Sequence, residues 1–154
     1  MAESAHVAPK GPEDWIEVAD RELKNLIGAY HAHQSHDVKV DLALKATEAV
    51  LKAIVWKHEG WAEWPKKGNK SFKFLFGHNL EAMLDHTGLR TRLRAKAEYW
   101  ASWRVLVNAG ERQARYSPNA GLPTESETNE VAKAARHPDT GIVPWLLKRY
   151  REMI

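Results

Sequence analysis

Cationic, imidazole and phenol side chains recur along this chain at spacings suited to holding a phosphate or another anion. Lys45, Glu48 and Lys52 fall about one helical turn apart. Such a series either makes an ion-pair ladder along one helix or lets Glu48 orient Lys52 toward a phosphate. His78–Asn79 falls where a helix is predicted to start, and free backbone N–H groups there favour anions. The imidazole could act as base or phosphate ligand; its plainer roles are to cap that helix or pack beside Phe76. Arg112, Arg115 and Tyr116 form a candidate clamp, because guanidinium binds phosphate bidentately and a phenol ring stacks on a base. The plainer role of Arg115 is to brace the following turn through carbonyl groups.

Trp56, Trp61 and Trp64 stand among Lys57, Lys66, Lys67, Lys70 and Lys73. Aromatics mixed with lysines suit single-stranded nucleic acid, and they suit better a loop whose tryptophans anchor it to a core or a partner. His31, His33 and His36 do not make a metal set, since residues i and i+2 point apart on a helix and only Asp37 adds a carboxylate. No metal and no cofactor are expected. Walker-type, dinucleotide-binding and serine-nucleophile motifs are all absent.

Those residues must be positioned by helices. With 154 residues, 44% of them hydrophobic and 28% charged, the chain has the balance of one globular domain. No apolar run approaches the roughly 20 residues of a membrane helix, and no secretory signal pattern opens the chain. Cysteine is absent, which excludes disulfides and thiolate chemistry and makes a cytoplasmic setting the expectation. From Lys57 to Arg115 there are 12 basic and 6 acidic residues, while the rest of the chain carries 11 and 14. A basic middle of this kind matches an anionic partner or a solvated helix face.

Residues 1–12 are expected to form a loose leader, and residues 13–154 one domain. A first helix should open near Pro12–Asp14, with Trp15, Ala19, Leu23, Leu26, Ile27 and Tyr30 on its core stripe. A second should run from Val38 to about Glu59. Its Leu42, Ala46, Ala49, Val50, Ala53 and Ile54 share a broad apolar face, and the small residues permit close approach by neighbouring helices. A surface loop follows from Gly60 to Gly77, with Phe72, Phe74, Leu75 and Phe76 tucked onto the core. A short helix from His78 to His86 should end at Gly88, and one long helix from Leu89 to about Asn108 should bury Leu93, Ala97, Trp100 and Val107. Thr124 and Glu127 have capping-box spacing, and Pro144 should open the last helix. No strand-period segment competes, so an all-α bundle is predicted.

In order, these segments resemble the HEPN family of small helical domains. The Trp-to-Leu first helix, Glu48–Ala49–Val50–Leu51–Lys52 in the second, GHNLEAMLDHTGL, and Ala114–Arg115–Tyr116–Ser117–Pro118 carry the likeness, which spans most of Trp15 to Tyr116. The resemblance implies a HEPN-like bundle of about four to six helices. It also implies a homodimer in a bacterial or phage defence or toxin–antitoxin setting, and seven tryptophans are more than a small core easily hides. The ribonuclease branch pairs an arginine with a histidine four to six residues later, and no arginine from Arg21 to Arg151 has one. The expectation is therefore a non-catalytic module binding a nucleotide, a nucleic acid such as RNA, or a protein. Lys52, His78, Arg112, Arg115 and Tyr116 would form its binding face. The alternatives are a divergent metal-independent endoribonuclease, with His78 or His86 completing a site around Arg115, and an oligomeric scaffold.

Overall fold

A computed structural model describes residues 8–114 and 122–153. Seven α-helices and one short 3-10 helix make an all-α bundle, with no strand among the described residues. Helix α1 is Pro12–His31, α2 His36–Glu59, α3 Leu80–Asp85, α4 Arg90–Arg94, α5 Ala97–Ala114, α6 Glu125–Arg136 and α7 Ile142–Glu152; the 3-10 helix is Lys70–Leu75. The element count exceeds the expected four to six because two helices are single short turns, five and six residues long.

α2 is the central helix, packed by α1, α3, α5, α6 and α7. Its alanines explain why: Ala43, Ala46, Ala49 and Ala53 are all but fully buried, so neighbouring backbones can come close on more than one side. Burial all round suits a helix with no dominant polar face. Thr47, also fully buried, donates its hydroxyl to the Ala43 carbonyl at 3.0 Å, so its polar atom is satisfied inside the helix. Gly60 ends α2 in the left-handed region at φ 68°, with its N–H bonded to the Trp56 carbonyl.

α1 starts at Pro12 as its sequence requires, but its stripe is rotated slightly from the expected one. Ala19, Leu26 and Ala29 are buried, Trp15, Leu23 and Tyr30 are half-buried, and Ile27 is exposed. Tyr150 of α7 donates its hydroxyl to Glu13 at 3.0 Å, tying the last helix to the first. Burial, reinforced by that carboxylate, pushes the Tyr150 phenol up to about 12. Gly141 is required where α7 turns off α6: a Cβ there would sit 2.5 Å from the His137 carbonyl oxygen. The predicted capping box is present in full. Glu127 N–H donates to the Thr124 hydroxyl at 3.1 Å, and the Glu127 carboxylate accepts from Thr124 N–H at 2.9 Å.

The expected single helix from Leu89 is two, α4 and α5, broken at Ala95–Lys96. Leu93 of α4 and Trp103 of α5 are both fully buried. Trp100, expected in the core, gives up that place to Trp103. Trp103 is fully buried, and its indole N–H donates to Glu81 at 2.6 Å; a buried indole needs such a partner. Trp100 is half-buried, with the guanidinium groups of Arg90 and Arg94 about 6 Å from its ring.

Trp56, Trp103 and Trp145 are buried and the other four half-buried within one chain. Among the described residues the exposed large hydrophobics are Ile27, Val38 and Leu122. No helix of the described residues is long and apolar enough to cross a membrane.

Candidate functional site

Two of the sequence-selected residues, Lys52 and His78, meet at Glu48. Lys45 takes no part, because its ammonium pairs with Asp41 at 2.9 Å rather than with Glu48. That leaves Glu48 one oxygen for Lys52 at 2.9 Å and the other for His78 Nδ1 at 2.8 Å. The side chains of Lys52 and Glu48 are 9% and 12% exposed, against 76% for His78. The Lys52 ammonium also lies 4.6 Å from the centre of the Trp15 ring. The group is thus graded: a cation buried between α1 and α2, a mostly buried carboxylate, and an imidazole open to solvent.

His78 does not lie in α3. Asn79 is the N-cap, its side chain accepting from Ala82 N–H at 3.0 Å, and His78 precedes it at φ 57°. A non-glycine residue there carries about 1–2 kcal/mol of strain, and strained residues cluster where function needs them. With Nδ1–H donating to Glu48, a neutral ring turns its Nε2 lone pair outward, the arrangement of an oriented general base. His78→Ala keeps the strained backbone and removes the Glu48 bond, whereas glycine relieves the strain. Urea unfolding should therefore rank His78→Gly above His78→Ala by about 1 kcal/mol. The reverse order would show that the left-handed backbone is not imposed on residue 78.

Arg112 belongs to a different place. It lies in a groove of about 400 Å³ between α5 and α6 whose walls include Glu111, Glu127 and Glu130. Its guanidinium is 2.6 Å from Glu127. The Thr124 N–H, the Thr124 hydroxyl and Arg112 together hold the Glu127 carboxyl below its usual range. Arg112 is thereby neutralised on a mainly acidic groove, and no wall of that groove belongs to the Glu48 group. Arg115 and Tyr116, the other half of the expected clamp, lie outside the described residues. His86 stacks on Phe74, the ring centres 3.8 Å apart and nearly parallel. Among the described residues, no group of three or more His, Asp or Glu side chains is placed to hold a metal ion.

The loop between α2 and α3 supplies the second feature of the site. Trp64 sits among Trp15, Trp56, Trp61 and Phe76, with ring centres 5.1–6.5 Å away. Trp61 meets Phe72 edge-on at 5.1 Å, and the Trp56 indole N–H donates to the Trp61 carbonyl at 2.9 Å. The tryptophans therefore anchor the loop to α1 and α2. What the loop presents outward is lysine. Lys66, Lys67, Lys70 and Lys73 are all exposed, and none forms an ion pair among the described residues. Lys57 is not part of this set, since its ammonium lies over the Tyr150 ring at 4.5 Å. Comparison with protein-family models, curated proteins and solved structures gives no match. The functional reading therefore rests on the residues. Sequence composition exposed the lysine run but not its freedom from carboxylates: Glu59 lies 3.9 Å from His86, and Glu81 pairs with Arg90 at 3.0 Å.

Proposed function

We propose that this chain is a HEPN-like, non-catalytic module that binds the phosphate backbone of a single-stranded nucleic acid such as RNA through Lys66, Lys67, Lys70 and Lys73. The observation that carries the reading is the contrast in charge pairing. Lys52 and Arg112 each have a carboxylate within 3 Å, whereas the four loop lysines have none among the described residues and lie on a scaffold fixed by four tryptophans. A fixed array of free ammonium groups releases counterions when a polyanion docks. Because the rings of the loop are used in packing, recognition is of backbone rather than of base identity. The family resemblance adds a homodimer and a cytoplasmic defence or toxin–antitoxin setting to this proposal.

The test is fluorescence anisotropy with a labelled oligouridine at several salt concentrations. Four phosphate contacts on a single strand give a slope of log affinity against log salt near −3, from about −0.7 per contact. Replacing the four lysines with Ala should bring the slope close to zero and weaken binding at least about tenfold at low salt. An unchanged slope in that variant, or no binding by the native chain at low salt, would sink the assignment.

His78 favours a second reading, a divergent metal-independent endoribonuclease. Its strained backbone and Glu48-oriented ring fit a base for the 2′-hydroxyl. That reading expects RNA cleavage in the presence of a chelator, lost in His78→Ala; intact RNA after long incubation at high protein concentration counts against it.

A further inference from the structure

A cleft of about 280 Å³ opens between the C-terminal ends of α1 and α6, away from the residues discussed so far. Its walls are apolar: the Tyr30 ring, Ala132 and Pro138. Its polar members are Asn129, Lys133, Arg136 and His137. The hydrogen bonds already made determine what those groups can still offer. Tyr30 donates its hydroxyl to Asn129 Oδ1 at 2.7 Å, which uses the oxygen of that amide and leaves its NH₂. His137 Nδ1 accepts from Asp139 N–H at 3.1 Å, so the proton of a neutral ring is on Nε2. Lys133 and Arg136 are exposed and form no ion pair among the described residues. The Asn129 amide NH₂, the Lys133 ammonium, the Arg136 guanidinium and His137 Nε2–H are thus left as donors in the cleft.

A second observation adds positive charge from behind the Tyr30 ring. Lys39 is buried, 8% exposed, with no carboxylate partner among the described residues. Its ammonium lies 4.3 Å from the centre of the Tyr30 ring. Buried lysines are normally paired. Lys39 also stands in the first turn of α2, where the helix dipole disfavours a cation. Burial, opposed by Arg136 and reinforced by Glu125, holds the Tyr30 phenol above its usual range. Tyr30 accordingly remains a neutral donor, and Glu125 lies one turn before Asn129 on α6.

We propose that this cleft binds a small anion with a flat apolar body, the chemistry of a monocyclic aryl carboxylate or aryl phosphate. The ring would lie against Tyr30 and Pro138, and the anionic group would be held by Arg136, Lys133, the Asn129 amide and His137 Nε2–H. The volume is at the lower edge of ordinary ligand pockets and suits one ring rather than a dinucleotide. This site is independent of the lysine loop.

Isothermal titration of the full chain with benzoate, phenyl phosphate, inorganic phosphate and phenol tests it. Benzoate or phenyl phosphate should bind saturably, with inorganic phosphate and phenol each at least about tenfold weaker, a difference of 1.4 kcal/mol or more. Preference for phenyl phosphate or for benzoate then identifies the anion. The pair Lys133→Ala/Arg136→Ala, both on exposed helix surface, should lose at least tenfold in affinity at unchanged Tm. Arg136→Gln alone supplies a milder check, and the four-lysine loop variant should bind like the native chain. Equal binding of inorganic phosphate or phenol, no saturation by about 10 mM aryl anion, or full affinity in the Lys133/Arg136 variant would overturn the proposal.

Discussion

Glu48→Ala is expected to destabilise the fold by about 3–5 kcal/mol, the range for removing one partner of a buried ion pair. The loss is not the value of the Glu48–Lys52 attraction. It is the cost of leaving the ammonium of Lys52, a side chain only 9% exposed, with the face of Trp15 as its remaining neighbour. The same change frees His78, whose strained backbone is then held by less. Glu48→Gln keeps size and hydrogen bonding but not charge, so it should fall between native and alanine. Adding Lys52→Met to Glu48→Ala should recover most of the loss, because a buried pair is often replaceable by apolar groups at little cost. Urea unfolding followed by tryptophan fluorescence measures all three. A cost below about 1 kcal/mol for Glu48→Ala, the level of a surface pair, would show that Lys52 reaches water once unpaired.

Trp64→Ala is expected to cost about 3 kcal/mol, the low end for losing a large aromatic, since Trp64 is half-buried. The effect should be local as well as large. Trp64 is the ring through which the loop touches both Trp15 of α1 and Trp56 of α2. Hydrogen exchange should therefore lose protection across residues 61–76, while α5, α6 and α7 keep theirs. Binding of oligouridine should weaken in parallel, because the four lysines would no longer be held as an array. Trp64→Phe retains a ring and should retain most of both properties. Protection lost evenly over the whole chain, or kept in the loop, would contradict the anchoring role.

The capping box at Thr124 and Glu127 was legible because its partners are three residues apart, and the long first two helices because their periodicity is carried by the backbone itself. The break at Ala95–Lys96 was not legible. Neither residue is a helix breaker, so local propensity carries no sign of it. Trp100 and Trp103 have the same residue type, and only the fold shows which one is buried and bonded to Glu81. Lys45 and Lys52 looked alike as neighbours of Glu48, yet Asp41 claims one and burial against Trp15 fixes the other.

Sequence alone thus determined the all-α class, the central alanine-rich helix, the Thr124–Glu127 capping box and the basic loop, since each follows from contacts within a few residues or from composition. By contrast, α3 ends at His86 and not at the expected Gly88. Tertiary structure alone decided which charges are free. Polar pairing depends on side chains brought together from distant segments: His78 to Glu48 across 30 residues, Arg112 to Glu127 across 15, and the neutral Tyr30 to Asn129 across 99. A charge's partner is set by three-dimensional proximity and by water exclusion. Those two factors separate the buried Lys52, the neutralised Arg112 and the open lysines of the loop.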